Sequence, residues 1–296
     1  MDNDKLKDII NSIADEQGFR PAIIEKDYHL TMILNAVNEH LSRDIIFKGG
    51  TLLNKVYLDY HRLSEDLDFS YRNNIDLSTR GKRSKAITPI RKKMPSFLSF
   101  LGLTSDNPQG EGFNNSTQYL FKLQYSSFIF KRKEIIKLEI SLRQPSFLPP
   151  VIVPVKHFYQ DPFTKEDLFP QGNVLALSLE ESVAEKLKAA ISRLTPAIRD
   201  YYDLGHFIKT GFDFARPDFL KIFNEKLRLD EYKGDYSHYL GLSDKAIQEL
   251  KRISESDLAP MIRMNEEFDL DKVLAFFNKL FGSSGTFQYS PPSGNP

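Results

Sequence analysis

The chain lacks cysteine altogether, so its 296 residues can form neither a disulfide nor a thiolate metal site. Any metal must therefore be held by oxygen or by histidine. The six histidines show no metal-ligand spacing, which leaves carboxylates as the expected ligands. The sequence also has no apolar run of about 18 residues, as a membrane-spanning helix requires, and no apolar signal-peptide core. These absences favour a cytoplasmic protein with no membrane partner.

An excess of charge is also absent, because 40 basic residues are matched by 40 acidic ones. The chain as a whole therefore lacks the basic balance common in nucleic-acid-binding proteins. Residues 72–93 differ, since they hold eight Lys or Arg against Asp76 alone, a net charge of +7. This segment is either a solvated helix face or a contact for a polyanion, such as nucleotide phosphates or an RNA backbone.

Apolar spacing predicts a mixed α/β region at the start of the chain. Pro21 begins a helical pattern. The apolar residues 45–47 predict a short strand that turns at two glycines into another helix. Residues 67–71 alternate like a strand, and two longer strand patterns at 119–130 and 134–143 predict a hairpin.

The remainder of the chain is expected to be mostly helical. Prolines punctuate residues 145–176, which predict an irregular linker with one strand, and helical spacing then continues to Phe281. We therefore expect an α/β core with N-terminal helices over 1–155 and a mainly helical domain over 156–283. The Gly/Ser/Pro-rich residues 284–296 predict a flexible tail.

Three carboxylates can be placed together from strand geometry. Alternation points Asp66 and Asp68 to one face of their strand, and Glu139 to the polar face of its own. If these strands are neighbours, the three acids share a sheet face and repel one another unless a cation lies between them. Hard oxygen ligands suit Mg²⁺, which also binds substrate phosphates.

A phosphate-binding turn is predicted just upstream, at Gly49, Gly50 and Thr51. Glycine allows a phosphate to approach the main chain, and the N–H groups of a helix start favour an anion. The Thr51 hydroxyl adds one donor. A phosphate-binding turn followed by an acidic pair for Mg²⁺ is the minimum needed to move a nucleotidyl or phosphoryl group.

Each of these features also has an ordinary structural interpretation. A Gly-Gly pair is usually a simple turn, two alternating aspartates usually decorate a surface, and a glutamate in a strand often faces water. It is their order and spacing together that favour the catalytic interpretation.

Two motifs carry a resemblance to a known family. The sequence FKGGTLL at 47–53, followed by RLSEDLDF at 62–69, resembles the AbiEii/AbiGii nucleotidyltransferase toxins of the DNA polymerase β-like superfamily. The lead-in EKDY at 25–28 is similar too, as are the later segments 181–193 and 199–204. The resemblance covers about residues 20–210. It departs from the superfamily pattern in having Thr51 where a serine is usual, and in a long gap from Gly50 to Asp66.

This resemblance implies a polymerase β-like fold, with a mixed sheet and a helical C-terminal domain, and a two-metal transfer of a nucleotide from NTP. Asp66 and Asp68 would hold Mg²⁺ or Mn²⁺ on the triphosphate, and Glu139 would complete the set and favour deprotonation of the acceptor hydroxyl. Several family members act as toxins paired with a separately encoded antitoxin, in toxin–antitoxin or phage-defence systems, and some modify tRNA ends.

Two residues of the later motifs are further candidates. Lys186 falls on the border of the apolar stripe of its helix; it is either a plain border lysine or a clamp for the triphosphate. Asp200 begins the next helix and either opposes the helix dipole or, as the family implies, orients Lys186 or the acceptor. Asp203 is a weaker candidate for the same role.

We therefore expect a Mg²⁺-dependent nucleotidyltransferase toxin acting on a hydroxyl of RNA, such as tRNA, or of protein. One alternative keeps the site but transfers to a small molecule, as antibiotic-modifying enzymes do. Another is a non-catalytic module that binds nucleotide or a protein partner. The basic segment favours a polyanionic acceptor, and the complete set of three acids favours catalysis.

Overall fold

The computed structural model describes residues 3–72, 76–143, 146–161 and 163–282. The predicted tail at 284–296 lies outside the described residues. The chain divides into two compact units, the first formed by Met1–Ser182 with Ala259–Glu266 and the second by the remainder. Across the described residues, no helix has both the length and the apolar character that crossing a bilayer requires.

A seven-stranded mixed sheet organises the described part of the first unit. Its strands are β1 (Ile45–Lys48), β2 (Leu67–Tyr71), β3 (Glu111–Phe113), β4 (Gln118–Ser127), β5 (Arg132–Ser141), β6 (Val151–Pro154) and β7 (Asn173–Ala176). Their order across the sheet is β3-β4-β5-β2-β1-β7-β6. The pairs β2–β5 and β1–β7 are parallel, and the other neighbours are antiparallel.

The described residues of this unit also form the α-helices α1 (Asn3–Gln17), α2 (Pro21–Ala36), α3 (Gly49–Leu52) and α4 (Arg80–Leu101), and a π-helical turn, Val37–Leu41, follows α2. The short α3 continues without a break into a π-helical turn, Leu53–Tyr57. The strand–glycine–helix pattern predicted around residues 45–57 is therefore confirmed. Thr79 caps α4 by accepting a hydrogen bond from the Lys82 N–H, so the basic segment is helical from Arg80 onward.

Alternation of side chains fixes which face of the sheet is buried. Phe47 and Phe69 on the central strands, and Leu138 and Ile140 on β5, are fully buried in one large apolar core. Because successive residues of a strand face opposite ways, burial of this set turns the acidic residues between them toward the other face.

The second unit is helical in its described residues. It contains most of α5 (Leu179–Ser192), which begins in the first unit, followed by α6 (Ile198–Lys209), α7 (Pro217–Leu229), α8 (Asp244–Asp257) and α9 (Leu270–Gly282). Aromatic side chains dominate its core, including Phe214, Phe219, Phe223 and Phe277.

The region between the predicted hairpin and α5 contains more strands than the sequence pattern predicts. Residues 145–176 hold two strands, where one was expected, because the pair β6–β7 extends the sheet beside β1. Residues 102–116, whose composition indicates a loop, include the three-residue edge strand β3. The division between units accordingly falls after Ser182, later than the expected boundary at residue 155.

Candidate active site

Asp68 and Glu139 lie side by side on the two parallel strands β2 and β5. Their Cα atoms are register partners, in line with the pairs Leu67–Leu138 and Phe69–Ile140. Both acids are half-buried, whereas the apolar residues that flank them are buried. The condition set by the sequence, that these two strands be neighbours, is therefore met for Asp68 and Glu139.

Asp66 directly precedes β2 and is turned toward β5. Its Oδ1 accepts a hydrogen bond of 3.2 Å from the Lys137 main-chain N–H, and its Oδ2 lies 3.9 Å from the Lys137 ammonium. About a third of the Asp66 side chain is exposed (33%). Asp66 is thus close to the strand that carries Glu139, but its carboxylate is oriented by Lys137.

The glycine turn lies against Asp68. Gly49 has a φ of +78°, a conformation that favours glycine. A Cβ placed on Gly49 would lie 3.0 Å from the Asp68 Cγ and collide with its Oδ2. A Cβ on Gly50 would instead meet the guanidinium of Arg62, at 2.5 Å from Nη2. Gly49 therefore lies against a carboxylate and Gly50 against a cation, and a Cβ at either position would force the facing side chain to shift.

Thr51 connects this turn to the acidic pair. Its side chain is buried, and its hydroxyl donates a hydrogen bond to the main-chain oxygen of Asp66. The hydroxyl therefore holds the start of β2 in place. The main-chain N–H groups at the start of α3 are the donors that remain for a phosphate.

Two cations, Lys48 and Arg62, lie beside the site in addition to the residues predicted from the sequence. Lys48 is the cross-strand partner of Asp68 on β1, and directly opposed residues share a sheet face. Arg62 is buried beside Gly50, and its Nη1 donates to the Leu63 carbonyl oxygen at 2.9 Å. Strand alternation through Lys48 could have identified the first, whereas the contact of Arg62 depends on the loop fold.

The donor chemistry of the three acids fits a divalent cation. Carboxylates are the preferred ligands of Mg²⁺ and Mn²⁺, and Asp68 and Glu139 stand at adjacent register positions. Over residues 3–72, 76–143, 146–161 and 163–282, however, no three acidic or histidine side chains form a ready-made metal cluster. The hydrogen bond from Lys137 to Asp66 is a physical reason for this.

Lys186 and Asp200 are brought together in the second unit. The Lys186 ammonium lies 2.7 Å from Asp200 Oδ1 and 3.0 Å from Asp203 Oδ2, and its side chain is 9% exposed. Arg193 approaches Asp200 Oδ2 from the other side, at 2.9 Å. The lysine thus joins α5 to α6 through two carboxylates, one of which also pairs with Arg193.

The neighbouring lysine on α5 is also engaged. Helical spacing indicates that Lys188 points to the outer face, but its ammonium lies 2.6 Å from Asp230 Oδ2 and its side chain is 16% exposed. The end of α7 provides this partner, which sequence spacing within α5 could not reveal.

Residues 80–93 of the basic segment lie in α4. Arg83 donates to the main-chain oxygens of Leu77, Ser78 and Asn115, and Lys82 pairs with Asp76. These two cations therefore stabilise the start of the helix and a neighbouring turn. Lys85, Lys92 and Lys93 are exposed along the same helix and form the exposed lysine group of α4.

The structure thus places a glycine turn against paired carboxylates on a mixed sheet, the arrangement that the sequence predicts for a nucleotidyltransferase. The family model described as nucleotidyl transferase AbiEii toxin, type IV toxin–antitoxin system, matches residues 33–282. The chain belongs to this family of nucleotidyltransferase toxins, and it is a nucleotidyltransferase. The match begins after the EKDY lead-in and extends through the C-terminal helices.

A solved structure of a nucleotidyltransferase toxin shows the same fold. MenT4, a nucleotidyltransferase toxin from Mycobacterium tuberculosis H37Rv, aligns with a TM-score of 0.60 at 19% identity, over 93% of this chain and 88% of that chain. JHP933 from Helicobacter pylori aligns with a TM-score of 0.49 at 15% identity, over 89% of this chain and 92% of that one. A search of curated proteins found no match. The mixed sheet and helices of the structure, together with the match to MenT4, confirm the expected α/β class.

Proposed function

We propose that the protein transfers a nucleotide from NTP to a hydroxyl of RNA, with tRNA as the leading candidate, in a Mg²⁺-dependent reaction in the cytoplasm. The observation that carries this proposal is the register pairing of Asp68 with Glu139 beside the close approach of Gly49. As a member of a toxin family, it would be restrained by a cognate antitoxin.

Each group of site residues has its own proposed role in the transfer. The N–H groups at the start of α3 bind phosphate oxygens, and Asp66, Asp68 and Glu139 would hold the cation. That cation would neutralise the triphosphate and lower the pKa of the acceptor hydroxyl. As the acceptor oxygen bonds to the α-phosphorus, its proton passes to solvent, and the nearby negative charge of Glu139 favours this loss. The bond from that phosphorus to pyrophosphate breaks, and pyrophosphate leaves with its electron pair.

Lys186 is proposed to contact the triphosphate, with Asp200 orienting its ammonium. A charge-assisted phosphate contact contributes about 1.5–3 kcal/mol, or roughly 10–150-fold in binding. We therefore expect Lys186→Gln combined with Asp200→Asn to raise the KM for NTP by about that factor. The paired substitution removes the opposite charges of Lys186 and Asp200 together. Asp203 still loses its contact with the Lys186 ammonium, so thermal unfolding is measured beside the kinetics. Steady-state kinetics on the folded variant measure the effect.

Lys209→Ala is the matched control for Lys186, because Lys209 is an exposed lysine on α6. The KM of Lys209→Ala for NTP should equal that of the native protein. Lys188 is less suitable, since its ammonium is paired with Asp230. An unchanged KM in the Lys186 variant, together with lowered thermal stability, would assign the lysine a purely structural role.

The exposed lysine group of α4 is proposed to bind the RNA acceptor. Neutralising Lys85, Lys92 and Lys93 to Gln should weaken acceptor use and leave NTP binding unchanged. Each lost phosphate contact removes roughly 0.7–0.9 from the log–log salt slope, so the slope should flatten by about 2–3 units. Transfer rates measured against salt, with the acceptor below saturation, test this.

A matched triple variant uses exposed lysines of the second unit, Lys221, Lys233 and Lys245. It removes the same total charge and should leave the salt slope native. If the two triple variants give the same salt slope, the lysines of α4 have no specific role, and the small-molecule acceptor becomes the better candidate. Transfer of label to protein in place of RNA would identify the other macromolecular acceptor.

A further inference from the structure

A buried ion pair joins α2 to the helix that begins at the glycine turn. Lys55 lies in the π-helical turn that continues α3, and Asp27 lies in α2. The Lys55 ammonium is 2.9 Å from Asp27 Oδ2, and both side chains are 0% exposed. Placing two charges wholly inside a protein is costly unless their geometry is well satisfied.

The ammonium has an acceptor for each of its three protons. Besides Asp27, it donates to Thr31 Oγ1 at 2.7 Å and to the Tyr60 hydroxyl at 3.0 Å. The Tyr60 hydroxyl in turn donates to the Lys156 carbonyl oxygen at 2.6 Å. The position of Lys55 is therefore fixed from three directions, by α2 and by the segments around residues 60 and 156.

The carboxylate is less completely satisfied than the ammonium. Asp27 Oδ2 accepts from Lys55 and from the Tyr159 hydroxyl, the latter at 2.8 Å. Its Oδ1 is buried and meets no hydrogen-bond donor in the part of the chain that the structure describes. A buried ion pair in which one carboxylate oxygen meets no donor stabilises a protein less than apolar side chains of similar volume would. A positional role explains its presence better.

The pair acts on the same short helix that presents the glycine turn. Lys55 follows Gly50 by five residues, about one and a half helical turns. Leu52 and Leu53 of this helix are buried apolar residues, and apolar packing does not depend strongly on direction. Three directed hydrogen bonds from the Lys55 ammonium, together with the one that Thr51 donates to Asp66, fix the rotation and the axial position of the helix.

We propose that the Asp27–Lys55 pair positions the glycine turn for the triphosphate, an inference that rests on the proposed nucleotidyl transfer. By holding α3 against α2, the pair sets the direction of the N–H groups at the helix start and keeps Gly49 against Asp68. Neither residue contacts substrate, so both are positioning residues.

The test compares stability with nucleotide binding. Asp27→Leu with Lys55→Met replaces the pair by apolar side chains of similar size, and should restore most of the thermal stability that either single substitution loses. Its Kd and KM for NTP should nevertheless be raised about tenfold or more, with a smaller change in kcat, because phosphate contacts are misplaced throughout the reaction. A double variant with native stability and native NTP affinity would overturn the proposal.

Thr31→Val provides a milder variant that keeps the side-chain shape. It removes one acceptor from the Lys55 ammonium, and should raise the KM for NTP by about threefold to tenfold. An unchanged KM here would also count against a positioning role, even if the double variant failed to fold.

Glu25→Gln is the matched control on the same helix. Glu25 is buried and accepts hydrogen bonds from Ser127 Oγ at 2.6 Å and from the Phe128 N–H at 2.8 Å, so it anchors the β4–β5 turn. Its substitution should lower thermal stability without changing the KM for NTP. If Glu25→Gln raises the KM as much as the pair variants do, general destabilisation explains both results and the proposal fails.

Different outcomes would contradict the proposed nucleotidyl transfer and the proposed positioning role of the Asp27–Lys55 pair. If the native protein binds no NTP in the presence of Mg²⁺ and labels no acceptor, the proposed function is wrong. If the native protein transfers nucleotide and the Asp27/Lys55 double variant binds NTP as tightly, only the positioning role is wrong.

Discussion

Asp68→Asn is expected to abolish nucleotide transfer while leaving the fold intact. Asp68 stands beside Glu139 on the polar face of the sheet and against Gly49. Losing one preorganised charged group from such a site typically costs roughly 10²–10³-fold in rate. Since Asp68 is half-buried and next to another carboxylate, the free energy of unfolding should stay within about 1 kcal/mol of the native value.

Transfer rate and thermal unfolding, measured on the same preparation, check this expectation. Glu111→Gln is the control, because Glu111 is an exposed acid on the edge strand β3 of the same sheet. It should retain native transfer. Near-native transfer by Asp68→Asn would remove Asp68 from the metal set, and a large loss of stability would show that its role is structural.

Gly49→Ala should produce the second large effect, through a steric contact. The added Cβ would collide with the Asp68 carboxylate, and the backbone at a φ of +78° would be strained. We expect a stability loss of about 1–2 kcal/mol from the backbone and, separately, a loss of transfer of roughly 10²-fold as Asp68 is displaced.

Gly102→Ala separates these two contributions. Gly102 has a similar φ of +68°, but a Cβ there would meet nothing within 4 Å. Both variants should lose comparable stability, and only Gly49→Ala should lose transfer. Equal activity in the two variants would mean that the contact between Gly49 and Asp68 has no catalytic importance.

Residue patterning was sufficient to predict the elements that carry the site. The alternation around Asp68 and Glu139 indicated their faces correctly, because burial of Phe69 and Ile140 leaves no other orientation for the acids. The glycine turn could be predicted for a similar reason, since a strand, two glycines and an apolar helix can be arranged in few ways. Local sequence therefore determined much of the sheet face that carries these two acids.

Contacts between distant segments could not be predicted in this way. The pairing of Lys188 with Asp230 joins residues on separate helices, and the hydrogen bond from Thr51 to Asp66 depends on the path of an intervening loop. The addition of β6 and β7 to the sheet was missed because short strands at a sheet edge have little periodicity. The buried pair of Asp27 and Lys55 has no signature in either helix taken alone.

The most direct test of the account is transfer of an α-labelled nucleotide. The native protein and Asp68→Asn are incubated with each NTP in turn, Mg²⁺ and total RNA, and labelled RNA is then resolved by size. We expect a discrete labelled RNA with the native protein, and we expect this label to disappear in Asp68→Asn and on chelation of the metal. Labelling of equal strength in Asp68→Asn, or labelling that survives chelation, would contradict a metal-dependent site at this carboxylate.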